Sequence, residues 1–169
     1  MSTTSQVYLG SELRWQKEQY KHDQRNHADI QHLSKVDRLK HYGLHYAKYV
    51  GRMLRRGESK SLATTSIDSL LVSLSAANTL HQRLSVDISL NPNQNDFLEQ
   101  YASTMGVFCD ACEKFDHLEV ENVHTMLTES NNELFNFSMV IATNEGVDLE
   151  HAIASRRQFL RERAFFIED

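Results

Sequence analysis

Proline occurs once in 169 residues and glycine six times. A chain this poor in helix breakers favours long, uninterrupted helices. No stretch alternates apolar and polar residues with a period of two, so no strand is expected. No apolar run approaches the length that spans a bilayer. The opening MSTTSQVYLG has no apolar signal-peptide core, so a cytoplasmic protein with no membrane partner is expected. A basic excess is also missing. Lys and Arg number 18 against 23 Asp and Glu, for a net charge of −5, which argues against nucleic acid as the main partner. Cysteine is limited to Cys109 and Cys112, in the stretch CDAC. A zinc site needs two more ligands at a second corner, and His117 and His124 lie too close in sequence to supply them. A redox pair normally opens a helix after a strand. The two cysteines therefore read as small apolar residues on a packed helix face.

What is present is enough apolar sequence, 40%, to bury a core within one domain. The apolar spacing predicts six helices, from Ser11 to Leu33, Lys35 to Arg56, Ser61 to Leu84, Asn95 to Leu118, Glu121 to Asn144 and Asp148 to Phe166. Gly57 closes the second, and Ser61 or Ser59 caps the third. NPNQND, from Asn91 to Asp96, is the clearest break and contains Pro92. Asn144-Glu145-Gly146 ends the fifth helix, and Asp148 caps the sixth. The expected fold is all-α, a bundle of about six helices with short connections.

The break near Pro92 separates two halves, 11–90 and 95–166, that echo each other. A shift of 65 residues carries Asp68 onto Glu133, Thr65 onto Ser130 and Ala77-Asn78 onto Ala142-Thr143. One helix earlier it carries His45 onto Asp110 and Lys48 onto Glu113. A single offset relating two successive helices indicates an internal repeat.

Both members of the first pair are carboxylates in apolar surroundings. Asp68 is the one charge between Ser61 and Leu80. Glu133 shares its helical direction with Met126, Phe137 and Val140, and a carboxylate in an apolar stripe must be paired, protonated or metal-bound. Glu129 and Asn136 extend it into a polar ridge. The helix before offers Asp110 and Glu113 on adjacent turns, beside His117. A polar face of that kind is most often simply solvated. Together with Glu129 and Glu133 these acids supply the oxygens that Mg²⁺ requires. The corresponding ridge of the first half is basic: His41, His45, Lys48 and Arg52, at spacings of four, three and four. It pairs with Asp68 through Lys48 or His45, binds a transition metal through its His-x-x-x-His pair, lies solvated, or offers positive charge to phosphates.

Several of these stretches resemble the all-α nucleoside triphosphate pyrophosphohydrolases, the MazG and dimeric dUTPase superfamily. Asp110 and Glu113 stand at the family's first acidic pair, and Glu133 at the last acid of its second. GVDLEHAIASRRQFLRER, from Gly146 to Arg163, is similar to the family's closing helix. TSIDSLLVSLSAANTL looks like the same acid-bearing helix in the first half, with Asp68 at the acid, and LRWQKEQY, from Leu13 to Tyr20, is similar to the opening helix. The sequence departs from the pattern at Ser130, where the family has an acid, and at His45, Lys48 and Thr65, so the first half looks degenerate.

The resemblance implies a fused pseudo-dimer of two MazG-like units that hydrolyses a (d)NTP to the monophosphate and pyrophosphate. Mg²⁺ would be held by Asp110, Glu113, Glu129 and Glu133, with Glu113 and Glu133 catalytic in activating water. Lys48, Arg156, Arg157 and Arg161 would hold phosphates, and His45, Lys48 and Asp68 would be a vestigial first-half site. The basic residues of the last helix equally suit an exposed helix C-terminus. Family members commonly form homodimers, so a homo-oligomer is implied. The alternative is a catalytically degenerate relative acting as a nucleotide-binding, regulatory or structural interaction module. A ferritin-type di-iron bundle needs two Glu-x-x-His motifs, and ENVH, Glu121 to His124, is the one present. A helical adaptor whose nine histidines make a partner surface pH-sensitive is the remaining reading.

Overall fold

The computed structural model describes residues 8–55, 60–87, 89–90, 96–117 and 122–163. Among these residues there are seven helices and no strand. They are α1 (Glu12–Asn26), α2 (Ala28–Gln31), α3 (Lys35–Leu54), α4 (Leu62–Leu80), α5 (Phe97–His117), α6 (Val123–Asn144) and α7 (Leu149–Arg163). The expected first helix is divided in two at His27, whose backbone (φ −133°, ψ 39°) leaves the helical region. None of the helices is long and apolar enough to cross a membrane.

Local chemistry fixes the ends. Ser34 Oγ accepts from the Asp37 amide at 3.1 Å, and Ser61 Oγ from the Thr64 amide at 3.0 Å. Asp148 Oδ1 accepts from the Glu150 amide at 3.1 Å. Each side-chain oxygen satisfies an amide that the first helical turn leaves unpaired. Gly57, Ser59 and Pro92, expected at breaks, lie outside the described residues. The third expected helix stops at Leu80 rather than Leu84, with His81 in the left-handed region. Beyond it the chain has no regular secondary structure and is held against α6 by asparagine side chains. Asn132 Oδ1 accepts from the Ser85 amide, and Asn136 both donates to Ser85 O and accepts from the Asp87 amide.

The helices pack in three layers. α4 and α6 form the middle, α3 and α5 cover one side, and α1 and α7 cover the other. Tyr42, Tyr46, Phe108, Leu127 and Leu134 lie in the first seam, and Trp15, Leu70, Leu74, Phe135 and Ile153 in the second. A helix clad on both sides has little solvent face. From Thr65 to Leu80 every residue except Val72 and Asn78 is buried, which explains why charge is scarce there. Most small polar residues of this stretch are satisfied internally, while the buried Thr65 hydroxyl has no hydrogen-bond partner among the described residues. Tyr46 Oη donates to Asn131 Oδ1 at 2.7 Å, and Ser138 Oγ donates to Ser69 Oγ at 2.7 Å.

Candidate functional site

The carboxylates of the expected second-half site are on the surface. Asp110, Glu113, Glu129 and Glu133 are all exposed. Glu113 pairs with His117 at 2.6 Å, one turn along the same helix. Glu133 Oε2 accepts from Thr104 Oγ1 at 2.9 Å. The expectation of a buried Glu133 fails because its flank of α6 meets the short side chain of Thr104, which leaves the carboxylate open to water. Among the described residues no group of three or more His, Cys, Asp or Glu is arranged to hold a metal ion. This donor set does not fit the implied Mg²⁺ centre. Glu121, needed by the di-iron reading, lies outside the described residues.

The first half holds the built site. Asp68 is buried beneath two cations. Arg156 donates to it twice, Nε to Oδ1 at 2.6 Å and a terminal nitrogen to Oδ2 at 3.1 Å, and Lys60 Nζ donates to Oδ2 at 2.9 Å. The expected partners Lys48 and His45 make no such bond, because they point along α3 toward Tyr49 and His41. Asp68 thereby ties α7 to the start of α4 through a charge-assisted pair.

Around this pair opens a cavity of about 390 Å³, within the range of small-molecule sites. Every member of the basic ridge lines it: His41, His45, Lys48 and Arg52. Lys48 and Arg52 stand over the Tyr49 ring at 5.2 and 5.9 Å from its centroid. Burial and then Lys48 push His45 down to about 4, so its ring is neutral at physiological pH. Lys48 Nζ, which can only donate, lies 3.1 Å from His45 Nδ1. The network thus assigns the His45 proton to Nε2, from which it is donated to His41 Nε2 at 3.1 Å.

No family model, curated protein or solved structure matches this chain. The site therefore stands on its own geometry.

Two expected phosphate ligands, Lys48 and Arg156, line the cavity; Arg157 and Arg161 do not. Arg157 is buried and fully engaged. It donates to Gln19 Oε1 at 2.9 Å, Glu18 Oε2 at 2.8 Å and Trp15 O at 2.8 Å, which fastens α7 to α1. Arg161 is exposed. The cysteines are also structural: Cys112 belongs to the core, and burial pushes its thiol up to about 12, far from a reactive thiolate.

Lys60, Arg163 and Asp23 also line the cavity and were not singled out by the sequence. Lys60 lies between helices, where spacing carries no information. Asp23 had a signal. Gln16, Gln19, Asp23 and Asn26 recur at spacings of three, four and three, and they form a buried face of α1 that is polar rather than apolar.

Proposed function

We propose that this chain binds a phosphorylated small molecule of nucleotide type in the cavity between α1, α3, α4 and α7. This is the nucleotide-binding form of the resemblance, without metal-dependent hydrolysis. The observation that carries it is a local reversal of charge. The chain as a whole is −5, yet the described lining of the cavity has five Lys or Arg (48, 52, 60, 156 and 163) against two Asp (23 and 68), or +3 with histidines neutral. A concave site of one sign, partly shielded from water, concentrates ligands of the other sign. Asp68 holds Arg156 and Lys60 in place, and Lys48 and Arg52 have no carboxylate partner among the described residues. The hydrolase reading draws no comparable support, since its four acids are solvent-exposed and ungathered.

The test is calorimetric titration of the full chain with inorganic pyrophosphate and a panel of nucleotides, with no divalent metal present. Binding is expected, and reversing both charges in Lys48→Glu/Arg52→Glu is expected to weaken it by about tenfold or more while the melting temperature holds. A pyrophosphate-release assay with Mg²⁺ runs beside it. Metal-dependent release that Glu133→Gln abolishes would instead establish the pyrophosphohydrolase.

A further inference from the structure

The cavity has two chemically different ends. Asp68, with Lys60 and Arg156, marks the cationic end. Seven residues further along α4 is Ser75, and there the lining changes to Asp23, Gln19 and Gln31. Gln19 Nε2 bridges the two elements, donating to Asp23 Oδ1 at 2.8 Å and lying 3.3 Å from Ser75 Oγ. Two helical turns, about 10 Å, thus separate Asp68, which holds Lys60 and Arg156, from Ser75 beside Gln19 and Asp23, while Arg163, whose charge acts on His27, is at the Asp23 end.

Of the buried acids Glu12, Asp23 and Asp68, only Asp68 is ion-paired among the described residues, and of the other two it is Asp23 that lines the cavity. It is 4% exposed and makes no ion pair with any described residue. The guanidinium that acts on it electrostatically, Arg157, has its nitrogens committed to Gln19, Glu18 and the Trp15 carbonyl. Burial holds the Asp23 carboxyl up to about 6, so near neutral pH it is an anion held by hydrogen bonds from Ser75 and Gln19 rather than by a cation of its own. Buried carboxylates without a cation are uncommon in structural roles, and they recur where a ligand completes the site.

We propose that Asp23 is the specificity-determining residue of this cavity, accepting hydrogen bonds from the amino-bearing edge of a nucleobase whose phosphate lies about two helical turns away, among Lys48, Arg52, Lys60 and Arg156. The inference rests on the phosphate-binding reading above and goes further by naming the ligand class. A bare phosphate or a sugar phosphate is too short to reach Asp23 from the cationic end. Uracil reaches it but presents its one N–H between two carbonyl oxygens, which face the carboxylate unfavourably. Adenine, cytosine and guanine each present an amino group, and carboxylates accept from such donors.

The experiment is titration of the full chain with AMP, CMP, GMP, UMP, ribose 5-phosphate and inorganic phosphate, repeated with Asp23→Asn. At least one amino-bearing nucleotide is expected to bind about tenfold or more tighter than UMP and ribose 5-phosphate, because a buried polar group left unpaired penalises the wrong ligand. Asp23→Asn, of the same shape, should erase that preference, while inorganic phosphate binds at least as tightly as to the parent because one negative charge is gone from the lining. The comparison among ligands in the unaltered chain needs no variant, so a folding defect in Asp23→Asn does not blunt the test. Equal binding of all phosphorylated probes overturns the role of Asp23 and leaves the phosphate site standing. Discrimination that survives Asp23→Asn in folded protein overturns it as well. Binding of none of the probes overturns both readings.

Discussion

His81 and Gly146 are 65 residues apart, and both are in the left-handed backbone region, at φ 56° and 77°. Each sits at the end of a middle-layer helix. The amide after each reaches back to an alanine carbonyl, Gln82 to Ala77 at 2.9 Å and Val147 to Ala142 at 3.1 Å. The shift that superimposes Asp68 on Glu133 in the sequence also superimposes these two helix ends. Left-handed backbone suits glycine and strains other residues by about 1–2 kcal/mol. His81→Gly is therefore expected to stabilise the chain by about 1 kcal/mol, and Gly146→Ala to destabilise it by about as much. Urea unfolding of both variants checks this. A loss of stability in His81→Gly contradicts it.

Tyr46 is fully buried in the seam between α3 and the middle layer, and its hydroxyl is the donor to Asn131 Oδ1. Tyr46→Phe keeps the ring packing against Phe108 but removes that donor. Leaving a buried acceptor unpaired costs about 1–3 kcal/mol. The double variant Tyr46→Phe/Asn131→Leu should cost less than the two single changes together, a non-additivity that a double-mutant cycle reads directly.

Two neighbouring arginines of α7 make a contrast. Arg157→Gln removes a buried clamp on α1 and is expected to lower stability by about 2 kcal/mol, since part of its ion pair, Glu18, is itself half-exposed. Arg161→Gln, on the exposed side, should change stability by less than about 0.5 kcal/mol. Thermal unfolding of the two variants in parallel separates them.

The pH dependence of Asp23 has a definite sign. Its folded-state pKa is raised to about 6, so between about pH 4 and pH 6 the folded chain binds more protons than the unfolded one. Its contribution to stability therefore falls as pH rises through that window. His22 and His27, both held below their usual range mainly by burial, pull the other way. The total profile conceals the effect, and the difference between Asp23→Asn and the unaltered chain isolates it. That difference is expected to be near zero at pH 4 and to favour the variant by about 2 kcal/mol at pH 7. Chemical denaturation at the two pH values measures it. A variant less stable at pH 7 than at pH 4, relative to the parent, rules it out.

The six long helices and most boundaries were legible in the sequence because they depend on local chemistry (apolar spacing, the Ser61 and Asp148 caps, and Gly146), while the break at His27 that makes α2 a separate short helix was not. Nor was the end of α4. Leu84 continues the apolar pattern, but the helix has already ended, and the chain there is hydrogen-bonded instead to asparagines on α6, about 50 positions away. The basic ridge of α3 was visible as spacing, and its partner was not, because Lys60 and Arg156 reach Asp68 from a connection and from the last helix. Glu133 misled for a related reason. Helical direction says which residues share a side, and only the neighbouring helix says whether that side is covered. Asp23 was hidden by composition: α1 is so polar that its buried face does not look buried.

The cavity draws its lining from both extremities of the described chain and from neither α5 nor α6. Arg156, Leu160 and Arg163 come from the last helix, and Gln19 and Asp23 from the first. During synthesis the pocket has no complete wall until α7 has emerged and folded back across α1 and α4. A ligand seated there would act as a staple between α1 and α7, joining two helices that are far apart in the sequence.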